Sequence, residues 1–146
     1  MSGFMIGKSH IWIYAFFPFL VTGLAIKAFS QSTLRVSESN LRKAAIKAVM
    51  PSFPEESRKH KKTGIAVAFL HIDEKGNVEK VDTLDAPDPL IKEAVVSAIK
   101  QWIFKPTHFR DEPVNVQGKL TFYYIIDGKG ARVENPKSFD NANHKQ

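Results

Sequence analysis

"QWIFKP", residues 101–106, ends one periodic pattern and forbids its continuation. Ile91, Ala94, Val95, Ala98, Ile99 and Trp102 recur in steps of three and one residues, which keeps all six on one stripe of an α-helix. Phe104 falls off that stripe. Pro106 has no backbone N–H and pushes the residue before it toward extended geometry, so the helix must stop near Trp102. The stretch therefore marks a helix exit that drives aromatic side chains into a core while the chain turns away.

"PLIKEAVVSAIKQW" (89–102) is the body of that helix. Asp88 is its expected N-cap with Pro89 in the first turn, and Asp85 is an alternative, earlier start. Upstream, "GIAVAFLHID", "DEKGN" and "VEKVDTL" predict a hairpin whose turn places Gly76 where a positive φ is needed. The first of its strands is apolar on both faces. Ala66, Ala68, Leu70 and Ile72 lie on one side, Ile65, Val67 and Phe69 on the other, as in a strand that is central or covered twice. Downstream, "RDEP" predicts a turn, and "VNVQGKLTFYYII" (114–126) alternates. Val114, Val116, Leu120, Phe122 and Tyr124 face a core, while Asn115, Gln117, Lys119, Thr121 and Tyr123 face water.

Before the hairpin, "SNLRKAAIKAVM" (39–50) has helical spacing with Ser39 or Asn40 as cap. Pro51 and Pro54 stop it and hold Phe53 extended, either as a buried ring in a turn or as a ring offered to a partner. The element order is helix, strand, strand, helix, strand. The expected fold is α+β, a three-stranded antiparallel sheet with two helices on one face. The expected organisation is a leader or anchor over 1–30, a polar linker and short helix over 31–49, the domain over 50–127 and a polar, structureless tail over 128–146.

Residues 11–26, "IWIYAFFPFLVTGLAI", carry no charge and no polar face. As a helix they measure about 24 Å, somewhat less than the hydrocarbon layer. "AFS" before Gln31 is a small-x-small pattern suited to signal peptidase. A cleaved leader and a retained inner-membrane anchor are both compatible with this stretch, and both take the remainder out of the cytoplasm.

The chain has a net charge of +6, with much of the excess in "LRKAAIK" and "SRKHKK". No nucleic-acid-binding fingerprint accompanies it, so a solvated basic rim is the expectation and nucleic acid is not an expected partner. There is no cysteine, which removes disulfides, thiolate metal sites, thiol catalysis and an acylated cysteine after the leader. Five histidines are scattered without ligand spacing. Glu55 and Glu56 are adjacent and do not converge on one substrate, and no serine or threonine sits in a nucleophile motif. No catalytic residue, metal or cofactor is expected.

"PSFPEES", "TGIAVAFLHIDEKGNVEKV", "AIKQWIFKP" and "EPVNVQGKLTFYY", in that order, resemble the C-terminal domain of the TonB energy-transducer family over about residues 50–126. The resemblance makes Gly64, Gly76, Trp102, Phe104 and Pro106 structural motif positions. It implies a periplasmic module without chemistry of its own, whose partner is a peptide segment of an outer-membrane receptor added as a strand beside the last strand. The expected contact residues are Gln117, Lys119, Thr121 and Tyr123, on an edge running from Val116 to Ile125, with Phe53 and Pro54 of the family's entry motif near that interface. Contact with a proton-driven inner-membrane complex is also implied. An envelope scaffold or TolA-like domain that self-associates, as a homodimer, through the same edge is the alternative. Two features depart from the family. Roughly twenty residues, about 70 Å fully extended, separate the apolar segment from Pro51, in place of a long proline-rich spacer. Ser9 and His10 are adjacent and precede the apolar run, instead of standing four residues apart within it.

Overall fold

The structure is a computed structural model that describes residues 32–136. The expected leader or anchor, the Ser9 and His10 pair and the end of the tail lie outside the described residues. Among the described residues, no helix is long and apolar enough to cross a membrane.

In chain order the elements are β1 (Thr33–Arg35), α1 (Glu38–Ala44), β2 (Ala45–Lys47), α2 (Glu55–Lys59), β3 (Gly64–Ile72) and β4 (Val78–Asp85). They continue with α3 (Pro89–Ile99), β5 (Ile103–Phe104), β6 (His108–Phe109), β7 (Glu112–Pro113), β8 (Asn115–Asp127) and β9 (Gly130–Glu134). The mixed α+β class is as expected. The simple three-stranded, two-helix topology is not. Antiparallel strands β8, β3 and β4 form the centre of a five-stranded sheet, and β1 and β9 both add to β8. Two further two-stranded pairs, β2 with β5 and β6 with β7, stand outside it.

β3 is central, paired with β8 from Gly64↔Tyr124 to Ile72↔Val116 and with β4 on its other flank. Its edges are both paired, but only one face is buried: Ala66, Ala68, Leu70 and Ile72 lie in the core, while on the other face Ile65 is exposed and Val67 and Phe69 are half-buried. The alternation of β8 puts Val116, Leu120, Phe122 and Tyr124 in the core with Ala66, Ala68, Leu70 and Ile72 of β3. α3 covers this face through Ile91, Val95 and Ile99. Asp88 caps it by accepting from the Ile91 N–H at 2.8 Å.

"QWIFKP" closes the core. Trp102 and Phe104 are both buried, their rings 5.8 Å apart. The Phe104 N–H donates to the Gly76 carbonyl at 2.8 Å, which docks the helix exit onto the hairpin turn. Gly76 has φ 88°, and a Cβ there would lie 2.0 Å from the Phe104 carbonyl oxygen. Positive φ and close backbone approach both require glycine.

Three local differences from the sequence reading have physical causes. α1 starts two or three residues earlier, because Ser37 caps it by accepting from the Asn40 N–H. It ends at Ala44, because the Ala44 carbonyl accepts from the Lys105 N–H and the next residues pair with β5. The polar 31–37 and 128–134 stretches carry no strand period, yet they supply β1 and β9. Backbone pairing with β8 makes these strands, where the alternation of side chains does not.

Candidate functional site

The outer flank of β8 is the candidate site. Thr121 sets the parity of this strand: its N–H and C=O both point away from β3, toward α1. With a period of two, the backbone groups of Gln117, Lys119, Tyr123 and Ile125 face the same outer flank.

That flank was expected to be an open edge, and the chain itself meets it at three places. At its start, β1 runs parallel to β8 with Thr33↔Asn115, Leu34↔Val116 and Arg35↔Gln117. The Val36 N–H then donates to the Gln117 carbonyl at 2.9 Å. In the middle, two side chains from α1 replace a strand. Glu38 Oε1 accepts from the Thr121 N–H at 2.8 Å and Glu38 Oε2 from the Thr121 hydroxyl at 2.9 Å. Arg42 donates to the Thr121 carbonyl at 2.7 Å, to Glu38 at 2.9 Å and to Asn135 Oδ1 at 2.8 Å. At the far end, β9 pairs antiparallel with β8 from Tyr123↔Glu134 to Asp127↔Gly130.

The α1 clasp is well enclosed. The Arg42 and Glu38 side chains are 9% and 13% exposed, and the guanidinium lies 5.3 Å from the Phe122 ring centroid. Gly118 permits this approach, since a Cβ there would stand 3.0 Å from Leu41 Cδ2 and 3.2 Å from the Val36 carbonyl oxygen. Beneath α1 an apolar cleft is lined by Val36, Leu41, Ala44, Phe104 and Val116 among others.

The residues expected to contact a partner are divided between the two faces of β8. Gln117, Lys119, Thr121 and Tyr123 share the face away from the core. Gln117 is hydrogen-bonded to His71 Nδ1 at 3.0 Å, and Lys119 is exposed. Phe53 lies on the core side, its ring edge-on to Tyr124 at 5.1 Å, and Pro54 precedes α2. The Tyr124 hydroxyl donates to the Ser52 carbonyl at 3.3 Å, and burial pushes its pKa up. This proline-flanked segment therefore braces the strand from behind.

Glu38, Arg42 and the β1 segment escaped the sequence reading. The available signal was the spacing of four residues between Glu38 and Arg42 on a helix that Ser37 can cap. Among the described residues, no group of three or more His, Cys, Asp or Glu side chains is placed to hold a metal ion.

A family model described as "Gram-negative bacterial TonB protein C-terminal" matches residues 49–126, more than half of the chain. Among solved structures, the chain is similar to the solution NMR structure of the Pseudomonas aeruginosa TonB CTD, at 19% identity and a TM-score of 0.49. That match covers 57% of this chain and 85% of the other. No curated protein matches the chain. Family membership supports a non-enzymatic adaptor with a periplasmic, receptor-interacting role in general terms. With the helix exit, glycine turn and long last strand in place, the chain belongs to the family of Gram-negative bacterial TonB protein C-terminal domains.

Proposed function

We propose that the protein is a periplasmic binding module that takes up an extended segment of an outer-membrane receptor as an added strand on the outer flank of β8, in support of energy-dependent transport. One observation carries this reading. The flank already accepts a short extended piece of chain, Thr33–Arg35, through backbone pairing. Backbone groups supply affinity in such an addition, and side chains at alternate positions supply selectivity. Gln117 and Lys119 are the side chains of β8 beside the incoming segment, and Tyr123 joins them where β9, which pairs Tyr123 with Glu134, gives way.

The test is a proline at Lys119, whose N–H faces the outer flank, so that the ladder to β3 keeps its hydrogen bonds. A folded Lys119→Pro chain is expected to lose at least about tenfold in affinity for receptor-derived peptides, corresponding to one lost backbone bond. Unchanged affinity in the folded variant rules strand addition out.

A further inference from the structure

We infer that residues 33–42 form a built-in latch on the receiving flank of β8, and that a guest strand enters only when β1 peels away and Glu38 gives up Thr121. This rests on the strand-addition reading above and adds a competitor from the same chain. β1 and the Glu38–Arg42 clasp both lie before residue 49, where the family match begins. They are additions to the part of the chain that carries the resemblance.

The latch is built in two grades. β1 is three residues long and all three are exposed, whereas β3 and β8 share nine residue pairs. Few apolar contacts and an exposed ladder place β1 among the segments that open first. α1 is held more firmly, by Leu41 at 2% exposure and by the Lys105 N–H on the Ala44 carbonyl. The peeling segment therefore ends between Val36 and Leu41, with the Glu38 carboxylate as its last attachment. That carboxylate occupies the Thr121 N–H, the second outward-facing donor beyond the register of β1, after that of Lys119. Because the latch is covalently part of the chain, it competes at an effective concentration on the order of millimolar, so a weak guest is excluded and a tight one admitted.

The experiment uses the full chain and a synthetic peptide carrying residues 31–42, added in trans and followed by NMR shifts of β8 amides. Val36→Pro removes the N–H that donates to Gln117, and Glu38→Gln weakens the bonds to Thr121; neither changes β8. The expected result is that the peptide binds the Val36→Pro, Glu38→Gln chain at least about tenfold more tightly than the unaltered chain, with shifts at Gln117, Lys119 and Thr121. Equal affinity, or no shifts on β8 in either chain, overturns the latch. A second measurement needs no variant. In the unaltered chain the Val36 amide is expected to exchange at least about a hundredfold faster than the core amide of Leu70. Exchange of both only by whole-domain unfolding contradicts an opening latch. The two readings fail separately. A receptor peptide that binds latched and released chains equally removes the latch and leaves strand addition standing. The trans peptide binding the released chain while receptor peptides bind neither keeps the latch and removes the receptor.

Discussion

The indole N–H of Trp102 donates to the carbonyl of Val49 at 2.8 Å. This bond joins the helix exit to the segment before Pro51, across fifty-three positions of sequence. Trp102 also meets the Phe122 ring nearly edge-on at 6.4 Å, so one side chain ties α3, the proline segment and β8 together. Trp102→Ala is expected to cost about 3–5 kcal/mol through the cavity it leaves. Trp102→Phe is expected to cost about 1–2 kcal/mol, mainly from the Val49 carbonyl losing its donor. Urea denaturation of both variants checks the order, and a larger loss for phenylalanine contradicts it.

Gly76 should tolerate no side chain. A methyl group there collides with the Phe104 carbonyl and must also adopt φ 88°. Gly76→Ala is expected to cost at least about 3 kcal/mol from strain and displaced backbone. Gly128 has nothing within 4 Å of an added Cβ, so Gly128→Ala should change stability by less than about 0.5 kcal/mol. Thermal unfolding of the pair separates a turn-specific requirement from a general effect of replacing glycine.

Acid should weaken the start of α3. Burial works against ionising Asp88, but the Ile91 and Leu90 N–H groups and the nearby Lys62 charge outweigh it and hold the carboxyl below its ordinary value. Near pH 4 the folded state therefore binds fewer protons here than the unfolded state, whose carboxyl titrates at about 3.9. The contribution of the cap is fully present above that pH and is lost as pH falls through the lower, folded value. Asp88→Asn keeps a capping acceptor without a titrating one. Its urea midpoint is expected to fall less steeply than that of the unaltered chain between pH 4 and pH 2; identical slopes contradict the assignment.

The Glu38–Arg42 clasp is expected to contribute to stability as well as to occupancy of the flank. Arg42→Ala leaves an enclosed carboxylate on Thr121 without its cation, at a cost of about 3 kcal/mol. Arg42→Lys keeps the charge but not the planar fork that reaches Thr121, Glu38 and Asn135 together, and should recover less than half of that. Chemical denaturation of the two variants tests this, and full recovery with lysine shows that charge alone suffices.

The central sheet was legible because side-chain periodicity reports burial. β3 reads as central since Ala66, Ala68, Leu70 and Ile72 are apolar beside Ile65, Val67 and Phe69. β8 reads as one-sided since Leu120 and Phe122 alternate with Lys119 and Thr121. The Asp88 cap, the Gly76 turn and the Trp102 exit follow from residues with narrow conformational roles. β1 and β9 were not legible, because Thr33, Leu34 and Arg35 are all exposed and their strand exists only through backbone pairing with β8. The end of α1 at Ala44 was hidden for a similar reason: its cause is Lys105, sixty-one positions away. Phe53 could be read as core or contact, and its edge-on packing against Tyr124 places it behind β8.

Residue-resolved hydrogen exchange on the chain, free and saturated with a receptor-derived peptide, reports where the guest strand enters and what it displaces. On binding, the Val36 amide should lose protection as β1 leaves, while the Gln117, Lys119 and Thr121 amides are protected by the guest. A bound peptide that leaves Val36 protected and instead slows exchange along β4, the opposite edge of the sheet, would contradict entry at β8.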